Sequence, residues 1–231
     1  MAIIFDANNN SGYQTTQSSY SFSHTTGGTD RFLFCGVAIL GSTAVSNITY
    51  GGQSLTFVRR DTGNSVAVEV WRLINPPTGS NTLAVTLADA LSDSVAGVVT
   101  FAGVDQRDPI EETNSLVGAT ECPLSSITTG SDSCWVVDFV GCKFPVPAPH
   151  VSQTQRWRVS GALGGGGCST KGPVTPPALT EMSWGGNPCA GCIDDCNVLT
   201  LTVLKPIVYE SLQSVTAPSI SIGIINRVVA Y

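Results

Sequence analysis

Eight cysteines, Cys35, Cys122, Cys134, Cys142, Cys168, Cys189, Cys192 and Cys196, are the side chains whose type and spacing come closest to a chemistry. Cys189-x-x-Cys192 with Cys196 and Cys168 could form a tetrahedral thiolate zinc site, since each thiolate is a soft anionic ligand and the tight spacing supplies two from one turn. The second C-x-x-C of a zinc ribbon is absent. Free buried thiols are another reading, and an even count permits disulfides, although sequence does not fix their connectivity. We take Cys122, Cys168, Cys189, Cys192 and Cys196 as the disulfide candidates and assign no metal. Cys134 and Cys142 share one strand-like segment and would lie about 26 Å apart if extended at about 3.3 Å per residue, so they cannot bridge each other without a bend. Cys35 sits in the most apolar strand and reads as a small core residue.

The remaining constellations are weaker. Asp194 and Asp195, considered with Glu181, lack the alternating oxygen ligands and terminal Glu of a calcium loop. Asp6 with Asn8, Asn9 and Asn10 is rich in oxygen but reads equally as a turn cluster. The run GGGGCSTKG is not a phosphate loop, because Lys171 precedes Gly172 and Pro173 where Gly-Lys-Ser/Thr should open a helix; it reads as a flexible loop. There is no G-x-S-x-G elbow, and the two histidines, His24 and His150, lie in loop-like surroundings. Glu69 and Asp138 are the acids embedded in apolar segments; they are expected to face solvent or to pair with an arginine such as Arg72. The sequon Asn47-Ile48-Thr49 lies in a strand, which argues against glycosylation. No catalytic residue and no cofactor are assigned.

What must position any such site is a sheet protein. Two short strands flank Gly51-Gly52, a hairpin signal, because both central positions of a tight turn favour positive φ. SVAVEVWRLI, NTLAVTLA and SVAGVVTFAGV follow at intervals of roughly ten residues, the rhythm of an antiparallel sandwich or barrel. Leu83, Val85 and Leu87 alternate with Thr82, Ala84 and Thr86, the pattern of a half-buried strand. RFLFCGVAIL and CWVVDFVGC are apolar on both faces and read as covered central strands. Further strands are expected at TQRWRV, LTEMSW and VLTLTVLKPI, with loops between Pro145 and Pro188. No stretch keeps a 3.6-residue apolar period over three turns, so helix should be scarce.

Of the 231 residues 42% are hydrophobic, ample for a core, and only 12% are charged. A net charge of −6 with scattered basic residues argues against a nucleic-acid partner. No apolar run reaches the roughly 18 residues that span a bilayer, and MAIIFDANNN lacks the charged and apolar regions of a signal peptide. We expect a β-sandwich domain over 1–208 and a C-terminal strand or assembly arm over 209–231.

The stretches SNITYGGQSLTFVRR, VEVWRLINPPTGSNTLAVTL and VAGVVTFAGVDQRDPI, followed by CWVVDFVG, QRWRVSG, STKGPV, TEMSW and LTLTVLKPI, resemble a β-sandwich domain of bacteriophage structural proteins and bacterial surface proteins. The resemblance spans roughly residues 30 to 207 and implies an all-β, antiparallel, jelly-roll-like sandwich with long loops. The nearest role it implies is a phage capsid cement or decoration protein, located on the virion exterior after synthesis in the host cytoplasm. Its partners would be the major capsid protein and itself, as a homotrimer, with no nucleic acid and no membrane. Tyr209, Ile220, Ile222, Ile224, Ile225 and Tyr231 are then the intersubunit contact candidates. The alternative is a carbohydrate-binding or adhesive module using Trp157, Trp184 and Tyr13.

Overall fold

The computed structural model describes residues 2–90, 92–120, 123–143, 145–185 and 196–207, with backbone alone for 119, 120, 196 and 197. Among these residues the chain is all-β, without helix, and its paired strands run antiparallel. The first half supplies β1 (Ile4–Asn10), β2 (Ser19–Thr26), β3 (Phe32–Leu40), β4 (Val45–Tyr50), β5 (Gln53–Ser54), β6 (Thr56–Gly63), β7 (Val66–Ile74), β8 (Gly79–Leu87) and β9 (Asp93–Ala102). The second supplies β10 (Ile110–Thr120), β11 (Leu124–Thr128), β12 (Cys134–Cys142), β13 (Thr154–Ser160), β14 (Gly165–Val174), β15 (Leu179–Ser183) and β16 (Cys196–Leu204).

Each half builds a broad inner sheet and a narrower outer one. The inner sheets run β1-β9-β3-β7-β6 and β10-β16-β12-β14-β13, and the outer sheets β2-β8-β4-β5 and β11-β15. The inner sheets pack face to face and each carries its own outer sheet behind it, so that three apolar layers separate four sheets. This stacking explains why β3 and β12 lack apolar alternation. Along β3, Leu33, Cys35, Val37 and Ile39 enter the layer beneath the first outer sheet, while Phe32, Phe34 and Ala38 enter the central layer. Along β12, Val137 and Phe139 face the central layer, and Cys134, Val136, Val140 and Cys142 face the second outer sheet. The half-buried pattern expected of β8 holds: Leu83, Val85 and Leu87 are buried and Thr82 and Thr86 exposed. The Gly51-Gly52 turn joins β4 to β5 with φ of 55° and 81°, the positive values that glycine adopts without strain.

The two halves have the same winding. Matching β1, β2, β3, β6, β7, β8 and β9 in chain order with β10, β11, β12, β13, β14, β15 and β16 converts the first inner sheet into the second and β2-β8 into β11-β15. Contacts across the central layer exchange in the same way. The contact of β3 with β14 answers that of β7 with β12, β9 with β14 answers β7 with β16, and β6 with β10 answers β1 with β13. The described chain is therefore a pseudo-twofold pair of sandwiches. Among the described residues, the β4-β5 hairpin is the element that the first half has and the second lacks.

Two sequence expectations are corrected here. GGGGCSTKG is not a loop but the start of β14, and its glycines serve close approach: a Cβ at Gly167 would lie 2.6 Å from Trp184 Cη2, and one at Gly166 2.6 Å from Ala38 Cβ. Asp6 and Asn8 to Asn10 belong to β1, not to a turn.

Candidate functional site

Without a counterpart of that hairpin, the second outer sheet has an open edge among the described residues. In the first half β4 pairs along β8 from Val45↔Leu87 to Tyr50↔Leu83. The corresponding second-half segment holds Pro145, Pro147 and Pro149, which lack the N–H a ladder needs, and it reaches the sheet only as a single bridge, Pro149↔Trp184. His150 N–H donates to the Ser183 carbonyl (3.0 Å), and Ser183 N–H donates to Gln153 Oε1 (2.7 Å), which closes that end of the edge. Residues 178, 180, 182 and 184 direct their backbone toward β11, so 179, 181 and 183 direct theirs outward. The Glu181 carbonyl accepts a long bond from Lys171 Nζ (3.4 Å). The Glu181 N–H and both backbone groups of Leu179 have no hydrogen-bond partner among the described residues. Beside this edge lies a cleft of about 400 Å³, with Ser152, Thr154, Lys171, Pro173, Leu179 and Thr180 in its walls.

Beneath the cleft is a closed polar network. Asp138 on β12 is fully buried. Its Oδ1 accepts from Ser169 N–H (2.7 Å), its Oδ2 from Trp184 Nε1 (3.0 Å) and Gln153 Nε2 (3.1 Å), and Ser169 Oγ donates to the carboxylate (2.9 Å). Burial pushes the carboxyl pKa up to about 7 against the opposing pull of Ser169 and Trp184. Geometrically this is a positioning network and not an acid–base pair: every partner is a fixed neighbour, and the carboxylate has no exposed surface. Glu69 is likewise buried, accepting from Arg60, Trp71 Nε1 (3.0 Å) and Val45 N–H (3.1 Å). The two acids expected at a solvated face are thus interior, and the arginine partner is Arg60, not Arg72. An alternating strand pattern does not reveal this, because both sheets are covered on both faces.

His24 is on β2, not in a loop, and is 3% exposed, with Nε2 3.2 Å from Thr100 Oγ1, which itself donates to Asp6 Oδ2 (3.0 Å). Burial lowers its pKa to about 4, so the ring is neutral near pH 7. His150 is in a loop, as expected, with Nδ1 accepting from Ser152 N–H (3.2 Å). The tryptophans offered for sugar stacking are removed from solvent: Trp157 is 3% exposed and Trp184 0%. Tyr13 is half-buried and donates to Asp93 Oδ2 (2.9 Å).

Among the cysteines, Cys35, Cys134 and Cys168 are free and buried. Cys168 is therefore corrected as a disulfide candidate; it packs in the central layer, where burial raises its thiol pKa well above the ordinary value. Cys142, which was not a candidate, is disulfide-bonded. Its register partner on β16 is Cys196. Cys122, Cys189 and Cys192 lie outside the described residues, as do Tyr209, Ile220, Ile222, Ile224, Ile225 and Tyr231. Among the described residues no group of three or more His, Cys, Asp or Glu is arranged to hold a metal.

No protein-family model, curated protein or solved structure matches this chain.

Proposed function

We propose that the chain is a non-enzymatic structural protein of a virus particle, a decoration protein that binds the outside of a bacteriophage shell as a homotrimer. It would contact the major capsid protein and bridge neighbouring subunits. The observation that carries this reading is where the fold spends its polar chemistry: Asp138, Glu69 and His24 are all consumed in hydrogen bonds inside the stack. What faces outward is broad sheet surface with scattered apolar side chains, among them Ile4, Phe57, Val117 and Leu124. Such a surface suits burial against neighbours, and the sequence resemblance to phage sandwich domains points to a shell as the neighbour. Stabilisation would follow mass action, each copy adding free energy according to its affinity and concentration.

The same reading takes the disulfide at Cys142 as a covalent tie at the end of β12, the central strand of the second inner sheet. A particle component outside the cell gains from such a tie, where no folding machinery repairs it.

The experiment is quantitative mass spectrometry of purified particles, with copy number expressed relative to the major shell protein. A ratio near one, or near one-half to one-third, is expected for regular lattice sites. A few copies per particle would assign the chain to a tail or fibre, and absence from particles would overturn the proposal.

A further inference from the structure

We infer that the open edge of β15 is a strand-docking site for the chain's own C-terminal segment, with residues 218–224 taking the place that β4 occupies in the first half. The pseudo-twofold relation identifies what belongs there. Where β8 is lined by β4, with Val45, Ile48 and Tyr50 buried and Ser46 and Asn47 exposed, β15 has, among the described residues, no partner for the Leu179 backbone or the Glu181 N–H beside a cleft. An extended segment with one apolar and one small polar face would satisfy both requirements.

The residues after Ile207 contain one. Ser219, Ile220, Ser221, Ile222, Gly223 and Ile224 alternate strictly, so a strand there directs three isoleucines to one face and small residues to the other. Pro173, Val174, Ala178 and Leu179 supply apolar contacts for that isoleucine face within a cleft whose remaining walls, such as Ser152 and Thr170, are polar, and Glu181 N–H and the Leu179 backbone supply the ladder.

The exit of the described chain suits this site. β16 ends at Leu204 opposite Trp135, and the adjacent Cys134 is opposite Val174, which lines the cleft; the chain therefore leaves at the end where the cleft opens. Three strand spacings and one sheet spacing separate β16 from the open edge, about 18 Å by ordinary sheet dimensions. Residues 208–217 can span roughly 33 Å when extended, so docking within one chain is within reach. A tether of that length holds the segment at an effective concentration on the order of millimolar, which favours the chain's own edge over a neighbour's.

The inference does not rest on particle binding, and its test uses purified full-length protein free of particles. Leu179 is replaced by the photo-crosslinker p-benzoylphenylalanine, and equal amounts of 14N- and 15N-labelled chains are mixed before illumination and peptide mapping. The expected product joins position 179 to residues 218–226 with both peptides carrying the same isotope. Ile222→Asp in the same background is expected to lower its yield about tenfold, because a carboxylate is costly to bury unpaired. In chains without the crosslinker, the same substitution is expected to speed hydrogen exchange at the Glu181 amide about tenfold. Crosslinks to other regions, no crosslink, or a yield unchanged by Ile222→Asp would overturn the inference. Mixed-isotope products would also overturn it and would return Ile220, Ile222 and Ile224 to the role of intersubunit contacts.

Discussion

Gly36→Ala tests the central layer where the two sandwiches meet. Gly36 is in the middle of β3, and a Cβ built on it would penetrate the ring of Phe139, which is buried on β12. That ring cannot retreat freely. It is packed edge-on to Phe34 with centroids 6.2 Å apart and tilted against Trp157 at 6.4 Å. Overpacking of this kind costs about 1–3 kcal/mol, against which replacing a strand glycine returns about 0.5–1 kcal/mol of backbone entropy. The net expectation is about 2 kcal/mol of destabilisation, read as a shift in urea midpoint at constant slope. Phe139→Leu alone should cost about 1–1.5 kcal/mol by loss of ring contacts. Made together, the two changes should cost at least about 1 kcal/mol less than their sum, because the smaller side chain vacates the space the new methyl needs. A Gly36→Ala protein within about 0.5 kcal/mol of the parent, or strict additivity in the double variant, would refute the face-to-face packing on which the four-sheet arrangement depends.

Two buried titrations should oppose each other. The Asp138 carboxyl rises from 3.8 unfolded to about 7 folded, so the native state keeps a proton the unfolded state has lost, and its contribution falls as pH rises from about 4 to 7, by up to about 4 kcal/mol. His24 falls from 6.5 to about 4, so its contribution rises across much of the same window. Urea titrations of the parent should therefore show a shallow pH dependence, and His24→Gln should expose the descending Asp138 slope; an ascending slope in that variant would be the wrong sign. Non-reducing peptide mapping should recover Cys142 in a disulfide-linked peptide, and reduction should cost roughly 2–4 kcal/mol, seen as a lower melting temperature. Tyr50→Phe removes the donor to the His24 and Gly79 carbonyls (3.0 and 3.3 Å) and should cost about 1 kcal/mol in urea unfolding, with no change in secondary structure by circular dichroism.

The fold class was legible because strands announce themselves locally. The Gly51-Gly52 turn, the Leu83-Val85-Leu87 alternation and the breaker NPPTGS each act over a few residues, and each marks an observed element. β14 was not legible, because four consecutive glycines look like a loop until the Trp184 ring and the Ala38 methyl that need their flatness are brought alongside. The duplication was hidden for a related reason: winding order is shared by the halves through pairings 53 to 69 residues apart, while the side chains differ, as at SVAVEVWRLI and GGGGCSTKGPV. The buried acids were misjudged because a carboxylate on an apolar strand is read against a two-layer sandwich, in which one face meets water. One clue to the open edge was present in the sequence, the three prolines of PVPAPH, which cannot donate to a ladder; without the first half as a template, nothing said which strand they failed to cover.

The unequal hairpin gives an otherwise balanced molecule a polarity. Three gaps between four sheets place the two outer surfaces about 30 Å apart. Among the described residues one is a four-stranded floor and the other a two-stranded ridge with a gutter beside it. Like a roof tile, such a body has an upper and a lower side that cannot be interchanged by turning it over. A partner that grips one side fixes what the other presents to the surroundings, so orientation in any larger assembly is decided by the ten residues from Val45 to Ser54 and by the prolines that stand in their stead.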